Sequence, residues 1–236
     1  MPWYPGVGYP WTMDRAQARA VTRKLVRKAL ATGDLYGWND ALYRKAARQA
    51  DAIPWAECVP NPNLQAWLAG RDLAGYRKDA LVVGNGLGDD AELLGARGFQ
   101  VTAFDVSPTA VEWCRERFPG SPVQYRVADL FAPPAEWARG FGFVLESYTL
   151  QTFPAALRQK AMRAIAALVA PGGALLVIAR GRNTEEPEGE FPWPLTRGVL
   201  DAFEGAGLLE VSFEDFLDAE NPPVRRFRVE YRKAAP

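Results

Sequence analysis

Residues 81–90 read Leu-Val-Val-Gly-Asn-Gly-Leu-Gly-Asp-Asp: a short apolar run, three glycines at alternate positions, then an acidic helix start. Strand, glycine turn and helix in that order commit the chain to a βα unit, because only a strand feeding a helix through a tight turn needs glycine at such density. The pattern continues downstream. Leu81–Val83, Val101–Phe104, Val123–Val127, Phe143–Glu146 and Ala174–Ala179 are expected strands. Asp89–Arg97, Pro108–Arg117, Pro154–Val169 and Thr196–Gly205 are expected helices, with Pro171-Gly172-Gly173 stopping the third. Leu208–Phe213 and Arg226–Arg232 add two strands with no helix between them, so they should run antiparallel. Alternating units of this kind predict an α/β, Rossmann-like, doubly wound sheet of seven strands, mostly parallel, with an antiparallel edge strand.

Upstream, Asp14 to Thr32 is helical in period, with Ala18, Val21, Leu25 and Ala29 on one face. A second helix is expected over 39–51 with Asn39 as cap, and a short one over 63–70. Residues 1–12 carry three prolines and four aromatics and cannot form a regular helix. These features divide the chain into an N-terminal aromatic segment with helices, 1–75, expected to cap the site, and a ligand-binding domain, 76–236. A total of 236 residues suits one domain with an appendage.

Composition narrows the chemistry. Lys+Arg and Asp+Glu both number 28, so a dedicated nucleic-acid binder is disfavoured. Arg15, Arg19, Arg23 and Arg27 recur along one helix face and read as a solvated stripe. Charge is nonetheless segregated: residues 183–220 hold eleven acids and one base, and five bases follow within 225–233. No apolar run is long enough for a membrane span, and the N-terminus lacks the charged and apolar regions of a signal peptide. Two cysteines, Cys58 and Cys114, make no disulfide framework, so a cytoplasmic location is expected. The sequence has no histidine, which removes Ser-His-Asp triads, Cys-His dyads and His-ligated metals; no metal site is expected.

The glycines at 84, 86 and 88 would admit a ligand close to the main chain. A dinucleotide fingerprint wants its third glycine at 89, where Asp89 stands and would repel a pyrophosphate. A cofactor without phosphate fits better than a nicotinamide. Asp105 ends the next strand 21 residues after Gly84, close to the roughly 20-residue offset of a ribose-binding carboxylate. Asp129 ends the third strand, where it could reach an adenine amino group. Taken one at a time, these carboxylates also suit strand-end caps; together they outline a nucleoside site.

On these segments the sequence resembles the class I S-adenosylmethionine-dependent methyltransferases, and within them the thiopurine and halide/thiol branch. Gly84-Asn85-Gly86-Leu87-Gly88 with Asp90-Ala91 resembles its glycine loop. Phe104-Asp105-Val106-Ser107 resembles the ribose segment, and Ala128-Asp129-Leu130-Phe131 the adenine segment. Tyr148-Thr149 with Pro154 and Arg158 resembles the stretch after strand four, and Pro54-Trp55 a cofactor-touching element. Ser147 and Glu146 depart from the Asp that the branch commonly carries before Tyr-Thr. The resemblance implies S-adenosyl-L-methionine as cofactor, held by Trp55, Gly84, Asn85, Gly86, Gly88, Asp90, Asp105, Val106, Ser107, Asp129, Leu130, Phe131, Glu146 and Ser147. Glu146 and Tyr148 are the expected catalytic residues; Tyr148, Arg180, Phe191 and Trp193 should line the acceptor pocket. The expected reaction is in-line methyl transfer to a small molecule, a thiol or another soft nucleophile. Transfer to a hydroxyl, amine, RNA or protein, and non-catalytic binding of an S-adenosyl compound, stand as alternatives. A monomer or homodimer is expected.

Overall fold

The computed structural model describes residues 14–235. The expected aromatic segment at 1–12 lies outside them. The chain forms two compact units, Met1–Glu57 and Cys58–Pro236.

In the first unit, helix α1 (Arg15–Ala31) starts where the Asp14 carboxylate accepts the Ala16 N–H at 3.1 Å, and it buries Ala18, Thr22, Val26 and Ala29. Helix α2 (Gly37–Ala46) is shorter than the expected 39–51. Its start is held by Asp34, which accepts the N–H groups of Tyr36 and Gly37, and Asn39 lies inside the helix rather than capping it. It ends because Ala47 and Arg48 adopt φ of 46° and 68°, a left-handed turn that no glycine announces. Trp38, Tyr43 and Trp55 form an aromatic knot, with Trp55 6.3 Å from each partner ring.

The second unit opens with helix α3 (Pro62–Leu68), capped by Asn61 with Pro62 at its first position. Then come β1 (Asp79–Val83), α4 (Asp89–Ala96), β2 (Gln100–Asp105), α5 (Pro108–Arg117), β3 (Gln124–Val127), β4 (Phe141–Ser147), α6 (Ala155–Leu168), β5 (Val169–Arg180), the one-turn helix α7 (Arg197–Leu200), β6 (Leu208–Leu217) and β7 (Arg225–Lys233). The helix expected over 196–205 continues beyond α7 as a 3-10 turn, Asp201–Ala206. Trp67 of α3 stacks on Phe143 of β4 at 5.5 Å, beside Phe99 and Tyr76. That packing makes α3 part of the sheet's own core, and the compact unit that holds the sheet begins at Cys58.

The sheet has seven strands in the order β3-β2-β1-β4-β5-β7-β6. Six run parallel; β7 runs opposite to them and fills the place between β5 and β6, closing the expected hairpin at that edge. Strand order reverses between β1 and β4, the switch point at which an open α/β sheet leaves a crevice beyond its strand ends. Val83 pairs with both Phe104 and Glu146, so β1, β2 and β4 end level with one another.

The charge segregation has a local cause. The last five acids of the run, Glu210, Glu214, Asp215, Asp218 and Glu220, lie on β6 and its turn, and the basic run lies on β7 beside it. Arg225 pairs with Asp215 at 2.6 Å, Arg226 with Asp218 at 2.6 Å and Arg228 with Glu214 at 2.5 Å. Such cross-strand pairs contribute roughly 0.2–1 kcal/mol each and fix register as well as stability.

Candidate active site

The turn from β1 into α4 is built from glycine because its backbone requires it. Gly84 has φ 65°, and a Cβ there would lie 2.3 Å from the Thr149 Oγ1. That hydroxyl is not free to retreat, since it donates to the Val83 carbonyl at 3.0 Å. Gly88 caps α4 at φ 91°, and a Cβ there would meet the Tyr125 Oη at 2.7 Å. Gly84→Ala is therefore expected to lower the unfolding free energy by about 2 kcal/mol or more in urea titration. Gly98→Ala is the control: φ is 84°, but nothing lies within 4 Å of its Cβ position, so only the left-handed backbone is penalised. Equal losses at the two positions would show that the Thr149 collision contributes nothing.

The loop is tied down on its β2 side. The Asn85 N–H donates to the Phe104 carbonyl at 2.9 Å, and the Gly86 N–H donates to Asp105 Oδ2 at 3.2 Å. Asp105 Oδ1 accepts the Ser107 N–H at 2.9 Å, and Ser107 Oγ caps α5 by accepting the Ala110 N–H. Asp105 is buried, Val106 half-buried, and both lie at the end of β2 beside the glycines. Asn85 donates from Nδ2 to the Gly86 carbonyl and the Cys114 sulfur, while its buried Oδ1 has no partner among the described residues. At the end of β3, Asp129 Oδ1 accepts the Phe131 N–H at 2.8 Å. Leu130 is buried, and Phe131 packs on Phe153 at 5.4 Å.

Asp89 and Asp90 both have partners within the chain. Asp89 takes a bidentate pair from Arg117 at 2.8 and 2.9 Å, so its charge is compensated, and the repulsion expected toward a pyrophosphate loses its physical basis. Asp90 Oδ1 accepts the Asn61 N–H at 2.7 Å, and burial pushes its carboxyl up to about 6. It anchors the segment that begins α3.

That segment is what sequence reasoning missed. Asn61 Nδ2 donates to Ser147 Oγ at 3.0 Å and Asn63 Nδ2 donates to Tyr148 Oη at 3.1 Å. Pro60-Asn61-Pro62-Asn63 reads as a plain turn; the one available signal was a pair of amides flanking the start of a helix. Tyr148 adopts φ 61°, uncommon for a non-glycine residue, and the Arg226 guanidinium lies 5.0 Å from its ring centre. Burial pushes the phenol up.

Glu146 is fully buried at the end of β4. Its Oε1 accepts the Leu150 N–H at 2.8 Å, and Oε2 has no partner among the described residues. Burial raises its carboxyl to about 7 against the backbone donors of Leu150 and Thr149.

Beyond β5, Gln151 ties down two of the expected pocket residues: its Oε1 accepts the Arg180 N–H, and its carbonyl accepts the Trp193 N–H at 2.9 Å. Phe191 is buried and sits edge-on to Trp193 at 5.3 Å. Trp55 lies in the first unit, donating to Tyr43 Oη at 3.2 Å. The second unit thus gathers Gly84–Gly88, Asp105–Ser107, Asp129–Phe131 and Glu146–Tyr148 at the carboxyl ends of β1 to β4. Among the described residues no group of three or more Cys, Asp or Glu could hold a metal ion, and no helix is long and apolar enough to cross a membrane.

Residues 80–173 match the family described as a methyltransferase domain. No curated protein sequence matches the chain. Solved structures share its fold at low identity. One, from work on the conversion of a disulfide bond into a thioacetal group during echinomycin biosynthesis, is 21% identical with a TM-score of 0.64, over 81% of this chain and 92% of that one. The 1,6-didemethyltoxoflavin-N1-methyltransferase of Burkholderia thailandensis is 17% identical with a TM-score of 0.59, over 97% of this chain and 93% of that one. The N-methyltransferase NodS of Bradyrhizobium japonicum is 17% identical with a TM-score of 0.60, over 90% of this chain and 98% of that one. Residues 80–173 are thus similar to the methyltransferase-domain family, and the chain shares its Rossmann-like fold with solved structures described as S-adenosylmethionine-dependent methyltransferases.

Proposed function

We propose that the protein is an S-adenosylmethionine-dependent methyltransferase acting on a small molecule, with a soft acceptor such as a thiol. The observation that carries the reading is Asp105. Each carboxylate oxygen takes one backbone N–H, from Gly86 and from Ser107, which fixes the group beside the glycine loop. A carboxylate fixed at that strand end is the group type that accepts the hydroxyls of a ribose. The orphaned Asn85 Oδ1 and Glu146 Oε2 are both acceptors, and suit the hydroxyl, amide or ammonium donors of an amino-acid nucleoside. The residues present therefore fit the cofactor.

When bound, S-adenosylmethionine supplies a methyl group already activated on a positive sulfur. Asp105, Asn85 and Glu146 would hold that cofactor, and a thiol acceptor would enter as its thiolate, its proton already left to solvent. The chain's own task is to position the acceptor and exclude water. Tyr148, Arg180, Phe191 and Trp193 are the residues proposed to do so. A soft acceptor is favoured because no strong base stands ready. Histidine is absent, burial keeps the Tyr148 phenol protonated, and Glu146, the other expected catalytic residue, is read here as a partner of the cofactor's charged end and not as the base. An acceptor that ionises readily needs none. An amine acceptor is the second reading, favoured by the two fold relatives that are N-methyltransferases.

The test is thermal. S-adenosylhomocysteine at 100 times its dissociation constant should add about 2.7 kcal/mol, roughly 5–10 °C in midpoint for a chain of this size, while NADH and NADPH should add nothing. Methylated product would then be sought by mass spectrometry across thiols, halides, phenols and amines. A shift with the nicotinamides alone would overturn the reading. A shift with the S-adenosyl compounds but no product from any acceptor would make the protein a binding module.

A further inference from the structure

Gln151 has no part in the reading above, yet its environment is unusual. It lies in the 3-10 turn Leu150–Thr152, three residues beyond Tyr148, and is fully buried. Its Oε1 accepts the Arg180 N–H and its main-chain carbonyl accepts the Trp193 N–H, so one residue anchors both the end of β5 and the loop that follows. The Arg180 contact also sets the amide's orientation, since a rotated amide would face two donors. That leaves Nε2 as a buried donor with no partner among the described residues.

A buried amide donor left unpaired costs about 1–3 kcal/mol, and native structures hold few of them. The neighbourhood explains what could satisfy it. Asp105 and Asp129 lie at the ends of β2 and β3, on the far side of the β1/β4 switch point, and place the nucleoside there. Gln151 lies on the β4/β5 side, where the acceptor would enter. Its orphan differs in kind from the other two. Asn85 Oδ1 and Glu146 Oε2 accept hydrogen bonds; Gln151 Nε2 donates.

We propose that Gln151 is a recognition residue for the methyl acceptor, donating from Nε2 to an oxygen that the acceptor carries close to its nucleophilic atom. The proposal rests on the methyltransferase reading and deepens it by naming the substrate class: acceptors bearing a carboxylate, carbonyl or phenolate oxygen beside the methylated atom. Because Oε1 is held by Arg180, the amide cannot turn to serve a donor in the same place. A ligand with an ammonium or amide N–H there meets another donor and is rejected.

The probes are 2-mercaptobenzoate and thiophenol, which differ by the neighbouring carboxylate. Wild type should prefer 2-mercaptobenzoate by about tenfold or more in kcat/KM, carried mainly by KM. Gln151→Glu keeps an oxygen for the Arg180 N–H and removes the donor once its carboxyl ionises, so it is read at pH 8 and above. It should bring the two thiols within about twofold, with the preference falling further as pH rises and the new carboxyl ionises. Gln151→Met removes both the donor and the anchor, and its difference from Gln151→Glu reports the cost of losing the anchor. Retention of the preference in Gln151→Glu, or its absence in wild type, overturns the proposal. If neither thiol is turned over, their affinities for the S-adenosylhomocysteine complex are compared by calorimetry, and equal or absent binding overturns it likewise. S-adenosylhomocysteine affinity is measured for all three proteins. Failure of wild type to bind it would defeat the methyltransferase reading itself; intact binding with the wrong preference defeats only the role of Gln151.

Discussion

Asp105→Ala should weaken binding of S-adenosylhomocysteine by about 3 kcal/mol, on the order of 100-fold. The carboxylate is buried and already holds the Gly86 and Ser107 N–H groups. Two further hydrogen bonds from ribose hydroxyls to a charged acceptor would each be worth roughly 1.5–3 kcal/mol. Alanine also releases the loop, so part of the loss could arise from disorder of the glycines. A ligand pair separates the two effects. Wild type should bind adenosine more tightly than 2′,3′-dideoxyadenosine, and Asp105→Ala should bind them alike. Calorimetry at neutral pH reads both. Persistence of the ribose preference in the variant would refute the assignment of Asp105 and with it the main support for the cofactor site. Asp105→Asn is not a gentler version. Whichever way the amide turns, its NH2 faces either the Gly86 or the Ser107 donor.

What could be read from the sequence was what the local chain determines. The glycine turn, the acidic strand ends at 105 and 129 and the order of βα units depend on neighbours a few residues apart. The structure puts these features at adjoining strand ends. Contacts that tie the site together across the chain left no such trace. Asn61 reaches Asp90 and Ser147, and Asn63 reaches Tyr148, at separations of 29, 86 and 85 residues. Pro60-Asn61-Pro62-Asn63 has the composition of any turn, and nothing local says that its amides close on β4. Arg226 starts an expected strand, but its pairing with Asp218 and Glu220 and its approach to Tyr148 leave no mark in the local sequence. Gln151 was invisible for the same reason, because a lone glutamine after a strand carries no pattern. The end of α2 at Ala46 failed differently. Left-handed backbone at Ala47 and Arg48 runs against the preference of both residues, so no local residue type announces it.

Glu146 should make the protein lose stability as pH rises. Its carboxyl titrates at 4.5 in an ordinary environment and is pushed up to about 7 by burial in the folded state. The folded protein therefore binds this proton more tightly than the unfolded chain does. The stabilisation is complete below about pH 4.5, declines as pH rises through the folded value of about 7, and is gone above it. The amount at stake is about 3 kcal/mol, and Asp90, raised to about 6 by burial, adds to it in the same direction. Glu146→Gln cannot ionise and keeps an oxygen for the Leu150 N–H. Relative to wild type, its stability should therefore improve by about 2.5 kcal/mol between pH 5 and pH 8, roughly 5–10 °C in Tm. Parallel pH profiles for the two proteins would show that Glu146 is not the titrating group. The same substitution probes the ligand. The free Oε2 can meet an ammonium group only as a carboxylate. Wild-type affinity for S-adenosylhomocysteine should then rise with pH through about 7, and the glutamine variant should lose that dependence. A pH-independent affinity in wild type would place the cofactor's charged end elsewhere. Glu146 would then be left as a carboxyl whose Oε1 accepts the Leu150 N–H at the end of β4.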